Sequence, residues 1–367
     1  MPSLSNEHAP DSDSERARWG SGSGLDVNPM KLFDLTRSRG RVVYCAAPMV
    51  RYSKLAFRQT VARYGVDLTW TPMILAKEFN RSILARDSDF TTSPSPTPTI
   101  VQLGVNSPLE ISRTTTLLVP YINGIDLNCG CPQSWACAET LGAALMQHPT
   151  LVSEMVSTAK KTLHKLGYAE TKTISVKIRV HKDLRQTLDF VRRVEDAGVD
   201  FITVHGRMRH TRSSEPVNLD AIRLVKEHAR VPVIANGDVF SLADVDRIVA
   251  RTGVDGVMSA RGLLECPGLF DDGGRVVGEQ GTEGEGIEVE DNRWEVLEFF
   301  MNSVIKAPIP FKLVVHHISE MVGSDRSQSG RATTLFTKEE RAGLMDCKSL
   351  LEVIDFVDGV REVRRFD

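Results

Sequence analysis

Asp126-Leu127-Asn128-Cys129-Gly130-Cys131-Pro132 closes an apolar, strand-like run that opens at Ile122. Alternation along the run sends Ile125 and Leu127 to one face and Asp126 and Asn128 to the other. Cys131 then falls just past a polar strand end. Pro132 fixes φ and removes a backbone donor, so the thiol is carried on a restrained turn. A lone cysteine in such a turn is more often buried and inert than reactive. The rest of the fold has to decide between the two.

Between residues 41 and 262 eight short apolar, β-branched-rich runs recur, and helical patterns or loops separate them. The runs are Arg41 to Ala47, Val66 to Thr71, Thr99 to Leu103, Ile122 to Leu127, Thr173 to Val180, Asp200 to His205, Val231 to Asn236 and Gly253 to Ala260. Helical spacing is read over Ser53 to Tyr64, Pro108 to Val119, Thr150 to Leu166, Leu184 to Ala197, Leu219 to His228 and Leu242 to Ala250. Roughly 220 residues of alternating strand and helix predict an α/β protein, a (β/α)8 TIM barrel. A doubly wound sheet is the alternative, but eight similar units without a reversal favour closure.

In such a barrel, reactive groups collect at the carboxyl ends of the strands. The first run ends Ala47-Pro48-Met49-Val50, the third carries Gln102, and the fourth delivers Asn128 and Cys131. The fifth places Lys177 and Arg179 on one face. The sixth ends at His205-Gly206, the seventh at Asn236-Gly237-Asp238 and the eighth at Ala260-Arg261-Gly262. One polar group in an apolar setting is ordinarily a satisfied core residue. Five or six at one mouth are hard to ascribe to packing, because each unpaired buried polar group costs about 1–3 kcal/mol. The last two loops carry glycines that let backbone approach a ligand and an arginine fork suited to phosphate, so a phosphorylated ligand is expected there.

These motifs together, with Val101-Gln102-Leu103-Gly104, Val176-Lys177-Ile178-Arg179 and Val204-His205-Gly206-Arg207, resemble the flavin-dependent tRNA-dihydrouridine synthases, over about residues 41 to 270. Arg209-His210-Thr211-Arg212-Ser213-Ser214 looks most like the eukaryotic branch that modifies positions 20a and 20b of the D-loop. Cys266, where relatives commonly have Asn, is a departure. The resemblance implies FMN in the mouth, with Pro48, Met49 and Val50 lining the ring system and Gln102 bonding its pyrimidine edge. Lys177 would stabilise the reduced, anionic ring, and His205 would add a second polar contact. Asn236, Gly237, Asp238, Ala260 and Arg261 would hold the ribityl phosphate.

The implied reaction passes a hydride from reduced FMN to uridine C6 and a proton from Cys131 to C5. A thiol with a reference pKa of about 8.5 is still protonated at neutral pH, as an acid must be. Asn128 would position the uracil, which has to leave its stack to reach the ring. NADPH, or else NADH, would be the reductant, although no GxGxxG follows any strand. Arg179, Arg207, Arg209 and Arg212, in basic loops that also hold His181, Lys182 and His210, are candidate RNA contacts.

A net charge of −3 is unusual for an RNA enzyme. Eight acids against one arginine, with six glycines, lie between Asp271 and Asn292 and leave the rest of the chain at +4. That stretch reads as a flexible acidic insertion. The expected order is a disordered polar tail over 1–34, the catalytic barrel over 35–270, the insertion over 271–292 and an all-helical tRNA-binding domain over 293–367. Helical spacing in the last is read at Trp294 to Ile305, Phe311 to Val322 and Leu344 to Phe356. The six cysteines show neither a disulfide framework nor a fourth zinc ligand, and no apolar run is long enough to span a membrane. A monomeric enzyme without a metal is expected, in the cytoplasm or the nucleus. A flavin reductase of a free pyrimidine or other small conjugated molecule, and a catalytically silent RNA-binding protein, are the rival readings.

Overall fold

A computed structural model describes residue 25 and residues 27–93, 97–271, 292–323 and 334–364. Eight parallel strands form the barrel: β1 Val43–Ala46, β2 Leu68–Trp70, β3 Thr99–Gly104, β4 Gly124–Cys129, β5 Thr173–Arg179, β6 Phe201–His205, β7 Val233–Asn236 and β8 Gly256–Ser259. β1 pairs with both β2 and β8, and Thr69 opposite Thr99 joins β2 to β3, which closes the ring. The second stave is broken at Thr71-Pro72-Met73 and resumes as Ile74–Leu75 beside Leu103 and Gly104. Proline is the cause, since it cannot donate to a ladder.

Period-two alternation divides the apolar side chains into two cores. Tyr44, Val101, Ile125, Leu127, Ile174, Val176, Ile178 and Val204 face the surrounding helices. Cys45, Ala47, Leu68, Trp70, Ile100, Phe201, Ile234 and Met258 fill the barrel. Asp126, Asn128, Ser175, Lys177 and Asn236 share the inward parity and reach toward the carboxyl ends of the strands. Helix starts are fixed locally: the side chains of Ser107, Asp183, Asn218 and Ser241 each accept a backbone N–H in the first turn.

The expected tail over 1–34 is shorter than its proposed boundary. Met30–Ser38 is a helix, and its Leu32 and Phe33 join the inner core, with the Phe33 ring 5.7 Å from that of Phe201. Val43, Leu68 and Phe201 are first residues of their strands, so this helix plugs the end of the barrel opposite the mouth. Residues 1–24, and the acidic stretch from 272 to 291, lie outside the described residues.

Arg293–Lys306 and Phe311–Met321 match the expected helices. The single helix expected over Leu344 to Phe356 is instead two, Lys338–Asp346 and Leu350–Arg364. The reason is local: the Ser349 hydroxyl accepts the Glu352 N–H at 3.2 Å, and the Glu352 carboxylate accepts the Lys348 N–H at 2.8 Å, so a fresh helix starts there. Arg293–Lys306 packs on the first barrel helix, Leu55–Arg63. The ring of buried His317 closes the joint, 5.1 Å from Phe57 and 5.0 Å from Phe300.

Candidate active site at the barrel mouth

The loop after β4 is held from three sides. Asn128 Oδ1 accepts the N–H groups of Gly130 at 3.0 Å and Cys131 at 2.9 Å, and the Cys131 carbonyl accepts the Ala143 N–H at 2.8 Å. Arg179 Nε donates to the Gly130 carbonyl at 2.7 Å. Gly142 lies against the loop at φ +60°, where a Cβ would come within 2.5 Å of the Cys131 carbonyl oxygen. Cys131 is thus partly exposed on a turn whose backbone is fully occupied, as the proline had suggested. Gly142 escaped the sequence reading, because its role shows only through the cysteine it touches.

Below the cysteine, polar side chains connect across the strands. Asn128 Nδ2 donates to Gln102 Oε1 at 2.8 Å, and Gln102 Nε2 donates to Asp126 Oδ2 at 2.8 Å. Ser175 Oγ donates to the other oxygen of Asp126 at 2.8 Å. Burial raises the Asp126 carboxyl to about 6, against the pull of these bonds and of the Lys177 charge. Lys177 Nζ donates to Asn236 Oδ1 at 2.8 Å, and Asn236 Nδ2 donates to the Met258 carbonyl at 2.9 Å. Burial, then the like charge of Arg179, lowers the Lys177 ammonium to about 8, while Asp126 and Cys131 oppose the change. His205 is pushed down to about 2 by burial and by the charges of Lys177, Arg179, Arg207 and Arg261, so its ring is neutral. Its Nε2 meets Arg207 Nη1 at 3.3 Å and accepts that bond.

Next to His205 the loops after β7 and β8 enclose a cavity of about 100 Å³, lined by Gly237, Asp238, Phe240, Ala260, Arg261 and Gly262 among others. Gly237 at φ +121° and Asp238 at φ +53° turn the backbone sharply. A Cβ on Gly237 would press within 3.0 Å of the His205 ring. This is a concave backbone cradle with an arginine at its rim, a fit for a phosphate. Arg261 stacks over Phe240 at 5.2 Å.

One expected role, that of Arg207, needs correction here. The Asp238 carboxylate does not face an anion; it accepts from Arg207 at 2.6 and 2.7 Å, from Arg261 at 3.3 Å and from the Val217 N–H at 3.0 Å. Only its backbone belongs to the cradle. Arg207 is no rim contact, because it is 4% exposed and also donates to the carbonyls of Glu215 and Ser213. Arg209 and Arg212 are exposed, whereas Arg179 is partly buried and also bonds the Met208 carbonyl at 3.0 Å. The β1 loop, Pro48 to Val50, is held by Ser53, whose hydroxyl bonds the Ala47 carbonyl at 2.8 Å and the Met49 N–H at 2.9 Å.

A second, larger cleft of about 900 Å³ runs from Val50, Arg51, Tyr52 and Lys54 past Gln133 and Trp135 to Pro310, Lys312, Leu313 and His316. It lies between the mouth and helix Phe311–Met321 and combines exposed cations with aromatic rings. The Trp135 indole N–H bonds Gln133 Oε1, and the residue is 43% exposed. None of these side chains except Val50 was singled out from the sequence; their contribution depends on the loops after β1 and β4 meeting the helix Phe311–Met321. Among the described residues no group of three or more His, Cys, Asp or Glu could hold a metal, and no helix is long and apolar enough to cross a membrane.

Residues 45–303 match the dihydrouridine synthase (Dus) family. A Schizosaccharomyces pombe protein named tRNA-dihydrouridine(20a/20b) synthase [NAD(P)+] is 41% identical over 87% of this chain and 90% of its own length. A Saccharomyces cerevisiae protein of the same name is 39% identical over 90% of this chain and 83% of its own. A Homo sapiens protein with that name and the suffix "-like" is 46% identical over 66% of this chain and 74% of its own.

Proposed function

The chain belongs to the dihydrouridine synthase family, and on that premise we propose that it reduces the C5–C6 double bond of uridines 20a and 20b in the tRNA D-loop, with FMN as cofactor. The observation that carries the reading is the convergence at one mouth of Cys131, the Lys177 to Asn236 pair and the cradle of Gly237 and Arg261.

The donor set fits FMN. Gln102 offers an amide group to a pyrimidine edge, and Lys177 offers a cation beside it. Pro48, Met49 and Val50 line one wall, while the backbone of Asn236 to Asp238 with Ala260 and Arg261 surrounds the phosphate. His205, being neutral, can contact the ring without adding charge. When bound and reduced by NADPH or NADH, FMN supplies the hydride that arrives at uridine C6. Cys131 gives its proton to C5, so that one uridine, one NAD(P)H and one proton become dihydrouridine and NAD(P)+. Asn128 fixes the cysteine's backbone and with it the direction of proton delivery.

The target base has to be extruded to reach this depth, and the 900 Å³ cleft gives the flanking RNA a path. Arg51, Lys54 and Lys312 suit its phosphates, Tyr52 and Trp135 its unstacked bases. Arg209 and Arg212 extend the basic rim, and the helices from 293 onward form the tRNA-docking wall. The enzyme is taken to act as a monomer, in the cytoplasm or nucleus.

The test is to map dihydrouridine by position in tRNA from cells lacking this protein, then again after adding the purified protein with NADPH. Loss and restoration at 20a or 20b is the expected result. An unchanged D-loop overturns the substrate, and turnover of free uridine at the rate of tRNA supports a small-molecule reductase instead.

A further inference from the structure

Buried at the inward face of β4, Asp126 is fully enclosed and has no place in the proton or hydride transfer described above. A carboxylate there carries a large desolvation cost that a leucine would avoid. Its bonding explains why it is kept. Backbone N–H groups only donate, so the Asn128 atom that meets Gly130 and Cys131 is its carbonyl oxygen. The amide nitrogen of Asn128 must then face Gln102 and meet its oxygen at 2.8 Å. Gln102 in turn points its nitrogen at Asp126, 2.8 Å away. Every link donates in the same direction, and the orientation of both amides follows from the first bond. The chain needs an acceptor at its far end.

We propose that Asp126 is a positioning residue, the terminal acceptor of a one-way hydrogen-bond chain that fixes the Cys131 turn and the Gln102 amide together. The inference rests on the flavin reading above. Clamped at both ends, Gln102 keeps one N–H and one lone pair unspent, a pattern complementary to the adjacent carbonyl and N–H of a flavin pyrimidine edge. Without the acceptor the Gln102 amide is free to turn over, which exchanges its donor and acceptor, and Asn128 loses the partner that sets its own plane. Ser175 holds the second oxygen of Asp126 and keeps the first aimed at Gln102.

Two substitutions separate this role from simple burial. In Asp126→Asn, Ser175 can turn its hydroxyl to accept from the new amide nitrogen, so the remaining oxygen still accepts from Gln102. In Asp126→Leu no acceptor remains. Cys131 alkylation by iodoacetamide, followed by peptide mass spectrometry on protein stripped of flavin, reads the turn without any need for turnover. We expect Asp126→Leu to change that rate by about 3- to 10-fold, as the loss of one hydrogen bond would, and Asp126→Asn to stay near wild type. FMN added back should show a shifted visible band and weaker binding only in the leucine variant. Gln102→Met cuts the same chain one link higher and should reproduce the alkylation change if the leucine variant does not fold. Wild-type alkylation in folded Asp126→Leu or in Gln102→Met overturns the chain. A wild-type protein that neither retains FMN nor makes dihydrouridine overturns the proposed function instead, whatever the alkylation shows.

Discussion

The side-chain oxygen of Asn128 accepts the backbone N–H of Cys131 at 2.9 Å, so the candidate acid of the proposed reaction is aimed by a residue three positions earlier on the same strand end. Because the turn is held through its backbone, Cys131→Ala should leave it in place. FMN and tRNA binding are expected to be retained while turnover falls by about 10²- to 10⁴-fold, the usual size of general acid catalysis. Single-turnover assays with pre-reduced enzyme check this; unchanged dihydrouridine formation removes Cys131 as the acid.

Lys177 gives the site a pH dependence. Its ammonium titrates at about 8, so the charge beside Asn236 is complete below that pH and lost as pH rises through it. FMN affinity of the flavin-free protein should fall across that range, and Lys177→Arg should hold it level to about pH 10, since a guanidinium stays charged. Titration by flavin fluorescence measures both, and identical profiles for the two proteins would discard the assignment. Stability runs the other way: the unfolded chain keeps this proton to about 10.4, so the cost of burying the charge disappears as pH climbs from about 8 toward that value.

Much of this was legible because a barrel strand has a strict period of two. Alternation puts Asp126 with Asn128, and Lys177 with Arg179, on one face of their strands, and closure of the barrel turns that face inward. What escaped were properties that depend on a partner distant in sequence. Leu32 and Phe33 belong to a short apolar run behind a long polar stretch, and only their packing against Phe201 and the rest of the inner core explains why they fold into a plug. Arg207 was one more cation in a basic loop until Asp238 turned out to claim it. The break before Leu350 hangs on Ser349 and Glu352 alone, too weak a signal against continued apolar spacing. Nothing in the sequence marks Asp126, because a hydrogen-bond chain that runs from β4 to β3 and back has no sequence period.

The plug can be tested on its own. Phe33 is 3% exposed and packs on Phe201 inside the barrel, so Phe33→Ala opens a cavity at the end remote from the mouth. A loss of about 3–5 kcal/mol of stability is expected, as for other buried Phe to Ala changes. Denaturant unfolding measures it, and FMN binding below the transition should remain near wild type. A loss under about 1 kcal/mol would mean that the helix merely rests on the barrel.

For the phosphate cradle, Arg261 is the side chain to remove. It shares Asp238 with Arg207 and is 37% exposed, so its contribution should lie at the low end for a charged hydrogen bond, about 1.5 kcal/mol. Arg261→Ala should therefore lose about 10-fold in FMN affinity and shed flavin on dialysis. Normal flavin content after dialysis would place the phosphate elsewhere.

Trp135 gives the sharpest test of the RNA path. It stands four residues beyond Cys131 with its indole N–H tied to Gln133, and its ring lines the cleft that faces Lys312 and His316. Stacking of an unpaired base on such a ring contributes about 1–3 kcal/mol. Trp135→Ala should weaken tRNA binding by about 10-fold or more, Trp135→Phe should recover most of it, and reduction of the flavin by NADPH should not change in either. Lys312→Ala should act differently, lowering the salt dependence of binding by about one phosphate contact. Binding isotherms at several salt concentrations distinguish the two kinds of contact. Wild-type affinity in both variants would mean that the tRNA approaches the mouth by another face.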